Sequence, residues 1–166
     1  MKQLNFGCAD NLIQGYDNAD RQEGADIVFD FDSFPYPIED NIYEYVYGTN
    51  ILEHLKYPAQ ALKELWRCCK EGAIIEMRIP HYNSKGAYDD FEHFHYFSQG
   101  AVTRLVENNM FINKKEMFRL IELEILPTEF SKYIPRWLRN KLALIISGMH
   151  SNIHFKLEVI KYGKMY

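Results

Sequence analysis

Two strand-like runs at the start of the chain stand too close together for the usual link between parallel strands. In LNFGCADNLIQGYDNAD, Leu4 to Asp20, the first run turns at Gly7 and the second closes on Asp20, with only Cys8 to Gly15 between them. A crossover between parallel strands takes about a dozen residues or more, usually with a helix; here no full helix fits. That limits the ligand. A dinucleotide needs a glycine-rich turn feeding a helix N-terminus and an acid about 20 residues on, whereas Gly7 stands alone and Asp20 follows after 13 residues. A nucleoside without phosphates needs less: a turn that lets backbone approach, an acid for the ribose hydroxyls and a platform beside the base. Gly7, Asp20 and the pair Asp30-Phe31 can supply these.

The 166 residues are 47% hydrophobic and carry no Ser/Gly/Pro-rich linker, which fits one core and a single domain over 1–166. Residues 1–82 are expected to form its cofactor-binding half, and 83–166 a lid loop, helices and the last strands. No apolar run reaches the ~18 residues of a bilayer span, and the first residues carry no secretory signal; the expected location is cytoplasmic. Cys8, Cys68 and Cys69 form no Cys-x-x-Cys pair and are read as packing residues. Residues 1–60 hold 11 acidic and 3 basic side chains, and 127–166 hold 2 and 7. The acidic opening favours a cationic ligand and argues against nucleic acid.

Apolar periodicity predicts strands at Lys2 to Phe6, Ala25 to Phe31 and Tyr43 to Thr49. A helix opens at Pro58, carries Leu62, Leu65, Trp66 and Cys69 at helical spacing and closes at Gly72. Ala73 to Ile79 is the next strand. Residues 83–98 have no period and are long for a plain connection, as in a lid or binding loop. Gln99 to Asn109 reads as a helix, Glu116 to Leu126 as a strand, Ile134 to Met149 as a helix and Ile153 to Tyr162 as the last strand. Strands alternating with helices predict an α/β fold whose mostly parallel sheet binds ligands at the strands' carboxyl ends. The last two strands lie too close to the chain end for another crossover, so one of them should be antiparallel.

The stretches LNFGCADN, GYDNAD, IVFDF, FPYPIEDNIYEYVYGTNILEHL, ALKELWRCCKEGA and IIEMRIPH, in this order from about Leu4 to His81, resemble the successive motifs of class I S-adenosylmethionine-dependent methyltransferases. Weaker similarity runs on through DDFEHFHYFS to a subgroup with a His-rich segment there. The resemblance implies a Rossmann-like fold with S-adenosylmethionine as cofactor, transferring a methyl group to a small-molecule acceptor. It implies that the Gly7-Cys8-Ala9 backbone skirts the methionine part, Asp20 holds the ribose, Asp30 and Phe31 flank the adenine and Asn50 lies near the sulfonium. Ala9 replaces the family's second glycine, and the helices before the first strand and among the first three are absent or reduced. Parallel sheets are normally buried on both faces, so the Ile134 to Met149 helix, or a second subunit in a homodimer, is expected to cover the bare half-sheet.

His81 follows the fifth strand, and His93 and His95 follow in the aromatic loop beside Asp89 and Asp90. A base is needed only where the acceptor must lose a proton; the order of candidates is His81, His93, His95. Glu53 and His54 in NILEHL are read as starting the helix and packing beneath the fourth strand. Two other functions stay open: a metal-dependent hydrolase centred on His81, His93 and His95, with His-x-His as its pair of imidazoles, and a catalytically silent cofactor-binding relative. The basic, apolar stretch over 132–146 could lie on a membrane surface or pack against the core or a second subunit.

Overall fold

The computed structural model describes residues 1–107 and 117–161. Seven strands form one sheet in the order β3-β2-β1-β4-β5-β7-β6. They are β1 (Gln3–Phe6), β2 (Asp17–Asp20), β3 (Ile27–Val28), β4 (Tyr43–Thr49), β5 (Cys69–Pro80), β6 (Phe118–Pro127) and β7 (His150–Val159). Strands β1 to β5 pair in parallel, and β7 runs antiparallel between β5 and β6, as expected of an α/β Rossmann-like fold. The helices are α1 (Pro58–Cys68), α2 (Gln99–Glu107) and α3 (Arg136–Leu142). The ends expected at Asn109, Glu116 and Tyr162 lie outside the described residues.

The short crossover from β1 to β2 replaces its helix with side-chain amides. Asn5 donates to Asn18 Oδ1 at 2.9 Å and to the Asn11 carbonyl at 2.8 Å. Asn18 Oδ1 also accepts from Ile13 N–H at 2.8 Å, and the Asn18 amide reaches the Ile13 and Tyr16 carbonyls. The loop thus lies over its own two strands and seals both asparagines.

Beyond that loop the sheet has two unlike faces. On one, Val46, Ile75, Met77, Ile79, Ile153, Phe155 and Leu157 are buried, beneath α1 and an aromatic segment in which Phe31 and Tyr36 pack on Phe6. On the other, the intervening residues are mostly polar. Tyr45 donates to Glu76 at 2.7 Å, His154 meets Glu76 at 2.8 Å, and Lys156 bridges Glu76 and Glu122. Ile74, Tyr45 and Tyr47 are its few apolar members, so this face leaves little apolar surface that water would drive into contact. The expected covering helix over Ile134 to Met149 is correspondingly cut to α3, followed by turns. Its segment is held at the far side of the sheet, where the Asn83 amide donates to the Ala143 and Ile146 carbonyls and Asn140 meets His150.

Two other boundaries differ from expectation for local reasons. The strand read at Ala25 to Phe31 shrinks to Ile27–Val28, because β3 is an edge strand and Asp30 turns the chain by accepting from Asp32 N–H and Ser33 Oγ. Helix α1 stops at Cys68 rather than Gly72, because Cys69 leaves to pair with Tyr43 in β4. Gly72, at φ +74°, then lies in the register shift that follows. No described helix is long and apolar enough to cross a membrane.

Candidate active site

The carboxyl ends of β1, β2, β3 and β4 surround a cleft of about 200 Å3 whose lining includes Gly7, Ala9, Asp20, Asp30, Phe31 and Asn50. Strand pairing brings them together. Gly7 and Cys8 both donate to the Ala19 carbonyl, at 2.9 and 3.1 Å, which locks the first turn against the end of β2. Gly7 sits at φ +75°, and a Cβ there would lie 2.7 Å from the Ile51 side chain. Ala9, at φ +42°, holds the left-handed conformation that glycine adopts more easily, which accounts for the glycine expected at its position. Cys8 is buried, its thiol pushed up by burial and then by the nearby Asp20; only its backbone belongs to the turn.

Asp20 is 7% exposed and already ordered. Its Oδ2 accepts from Ala9 N–H at 2.8 Å and its Oδ1 from Gln22 N–H at 3.1 Å. A carboxylate offers about four lone-pair sites, so it retains capacity for two hydroxyls. The Asp32 N–H, then Ser33 Oγ, hold the Asp30 carboxyl below its ordinary range; Asp30 therefore caps a turn as well as lining the cleft. Asn50, at φ +50°, is fixed by its N–H to the Arg78 carbonyl at 2.8 Å. Asp20, Asp30, Asp32 and Glu92 face a single arginine, Arg21, in the lining, and no helix N-terminus presents a phosphate cradle. The donors and charge fit an uncharged sugar carrying a cationic centre.

A second cavity of about 460 Å3 adjoins the first and shares Asn50 and His54 with it. Its lining includes Glu53, Asp90 and His93, with Thr128 and Ser151 across from the loop. The short 3-10 helix Leu52–His54 carries Glu53 and His54 into it. The 83–98 loop is pinned onto that turn, since Phe94 and His95 N–H both donate to the Glu53 carbonyl oxygen. Glu53 is 1% exposed and neither carboxyl oxygen has a hydrogen-bond partner. Burial pushes its carboxyl up to about 7. His93 Nδ1 lies 2.9 Å from the Ala87 carbonyl, and its ring meets that of His54 edge to face at 4.5 Å.

The three histidines singled out in the sequence do not come together. His93 lines the second cavity. His81 is buried behind it against His150, its Nδ1 accepting from Asn83 N–H, and burial, then His150, pushes it down to about 4. His95 turns toward the Lys56 carbonyl. A hydrolase centred on all three therefore lacks its constellation, since imidazoles facing different surroundings cannot share one ion. Glu53 and His54 join His93 instead. Their signal in the sequence is an acid-imidazole pair set inside the otherwise apolar ILEHL, where an acid would have to be buried.

Residues 11–77 match a family model described as a methyltransferase domain. In structure the chain is similar to an S-adenosylmethionine-dependent methyltransferase of Archaeoglobus fulgidus, with TM-score 0.67 and 16% identity over 95% of this chain and 85% of that one. Residues 11–77 thus carry the sequence pattern of a methyltransferase domain, and the chain takes the fold of class I S-adenosylmethionine-dependent methyltransferases. An S-adenosylmethionine-dependent methyltransferase of Mesorhizobium loti gives TM-score 0.62 and 10% identity over 95% of this chain and 90% of its own. The [4+2]-cyclase SpnF gives 0.61 and 13% over 96% and 74%, so the fold alone does not dictate the reaction. No curated protein sequence matches this chain.

Proposed function

We propose that this protein is a methyltransferase that binds S-adenosylmethionine in the cleft and passes its methyl group to a small molecule held in the adjoining cavity. Asp20 takes the ribose hydroxyls, Asp30 and Phe31 flank the adenine, and the turn Gly7-Cys8-Ala9 runs beside the methionine part. The observation that carries the reading is the pair Asn50 and His54, common to both linings: ligands in the two spaces would meet there. Transfer is an in-line displacement. The acceptor's lone pair forms the new bond to the methyl carbon as the carbon–sulfur bond breaks, and that electron pair returns to sulfur as a neutral thioether. Holding the partners in line supplies most of the acceleration, and a cavity of this size suits a small molecule.

Calorimetry with S-adenosylmethionine and S-adenosylhomocysteine is the first test, and no binding of either would end this reading. Binding without transfer of a labelled methyl to any of a broad panel of hydroxyl, amine and carbon acceptors would favour the silent relative, which the strained Ala9 turn keeps in view.

The 132–146 segment supports a peripheral contact as well. Tyr133, Trp137, Leu144 and Ile145 are each more than 60% exposed beside Lys132, Arg136 and Lys141. Such a mix suits an anionic lipid surface. Co-sedimentation with phosphatidylserine vesicles, reduced by Trp137→Ala, is the expected result; equal recovery with neutral vesicles would remove this reading.

A further inference from the structure

Among the described residues Glu53 is the one acidic side chain that is sealed from water with neither oxygen hydrogen-bonded. Leaving a buried carboxyl in this way is costly, so its surroundings bear on what satisfies it. One ligand atom from each of Glu53, His54 and His93 lies within 4.8 Å of the others. The groups acting on Glu53 are its own backbone, then the His93 ring and the Asp90 carboxylate, with no lysine or arginine among them. Asp90 lines the same cavity.

The hydrogen bonds of the two rings decide which nitrogens remain available. A carbonyl oxygen can only accept, so His93 Nδ1 carries the proton toward Ala87 and Nε2 keeps its lone pair. The His54 ring is acted on by the Glu92 backbone as well. Imidazoles that bind metals are held in this manner, one N–H given to a carbonyl and the second nitrogen offered to the ion. Two imidazoles and one carboxylate are a donor set for divalent first-row metals, and with only three protein ligands the remaining positions face the cavity.

We propose that Glu53, His54 and His93 form a binding site for a first-row divalent cation such as Zn2+ or Mn2+, opening into the acceptor cavity. Whether the ion binds stands on these three residues alone; what it does rests on the methyltransferase reading. There the ion takes the oxygen of an acceptor hydroxyl, which gives its proton to solvent. That oxygen's lone pair then forms the bond to the methyl carbon while the carbon–sulfur bond breaks onto sulfur. The acceptor class is therefore a hydroxyl compound, since a bound cation makes an oxygen nucleophile available near neutral pH.

The test uses the whole chain, stripped with chelator and titrated calorimetrically with ZnCl2 and MnCl2, with Co2+ absorption as a spectroscopic reading of the ligand set. One equivalent per chain and a raised melting temperature are expected. Glu53→Gln and His93→Ala should each weaken binding at least about 10-fold, while Glu124→Gln should not; that residue belongs to the other possible cluster, Glu122, Glu124 and His154, on the open face of the sheet. His93 lies half-buried on a loop, so its variant is expected to fold, and its metal-free melting temperature verifies this. Absence of binding at millimolar metal overturns the proposal, and so does binding that survives His93→Ala but falls with Glu124→Gln. S-adenosylmethionine titrated in parallel separates the two failures: cofactor binding with no metal sinks only the ion, and metal binding with no cofactor sinks only the transfer.

Discussion

The cofactor cleft and the cavity beside it are built on opposite terms, although they meet at Asn50 and His54. In the cleft the polar groups are already engaged: Asp20 and Asp30 each accept two hydrogen bonds from nearby turns. In the cavity Glu53 is buried with no partner. A site assembled from strand ends and backbone donors holds its shape without ligand and recognises hydroxyls by lone pairs to spare. One containing an unsatisfied acid depends on what arrives.

That contrast can be broken at several points. The largest effect is expected at Gly7, where a side chain meets both Ile51 and a positive φ. Gly7→Val should cost about 2–5 kcal/mol of stability, summing overpacking with left-handed strain, as read by urea denaturation; a neutral result would mean that the turn is soft rather than preformed. Next comes pH. His81 is held down to about 4, by burial first and then by His150, and His150 is itself lowered by burial and then Arg139. In the unfolded chain histidine titrates near 6.5, so between about 6.5 and 4 the unfolded state binds more protons. Stability should be full above that window and fall through it by up to roughly 3 kcal/mol for His81. His81→Gln should flatten this limb of a melting-temperature profile.

Asp20→Ala should weaken S-adenosylmethionine by about 1–3 kcal/mol, measured by calorimetry; unchanged affinity would show that the sugar is held elsewhere. The smallest effect belongs to Arg21, whose exposed pair with Glu92 at 3.4 Å ties the end of β2 to the loop. Arg21→Ala should change stability by less than about 1 kcal/mol and lose even that in high salt. A larger loss would mean that the two sites close together.

The cleft was the more legible of the two in the sequence, and the reason is local. Gly7 and Asn50 each sit directly after a strand, where its periodicity stops, and Asp20 is the last residue of the second. The covering helix was misjudged because the rule that parallel sheets are buried twice was applied without checking the alternation itself: in β5, Ile75 and Met77 take turns with Glu76 and Arg78. The helix end at Cys68 was hidden because Cys69 continues the helical spacing yet pairs with Tyr43 far away in sequence. Glu53 was read as a packing residue because its isolation becomes visible only when the loop 40 residues later folds over it, its Phe94 and His95 N–H on the Glu53 carbonyl.

The crossover stitched by Asn5 and Asn18 has a consequence for how such a chain can diverge. A descendant that lengthened this connection into a helix would lay it toward Tyr45 and its partner Glu76, drawing that carboxylate away from water. Growth at one end of the sheet therefore demands simultaneous replacement of residues in strands that the insertion never touches, which makes the compact form hard to leave by single steps.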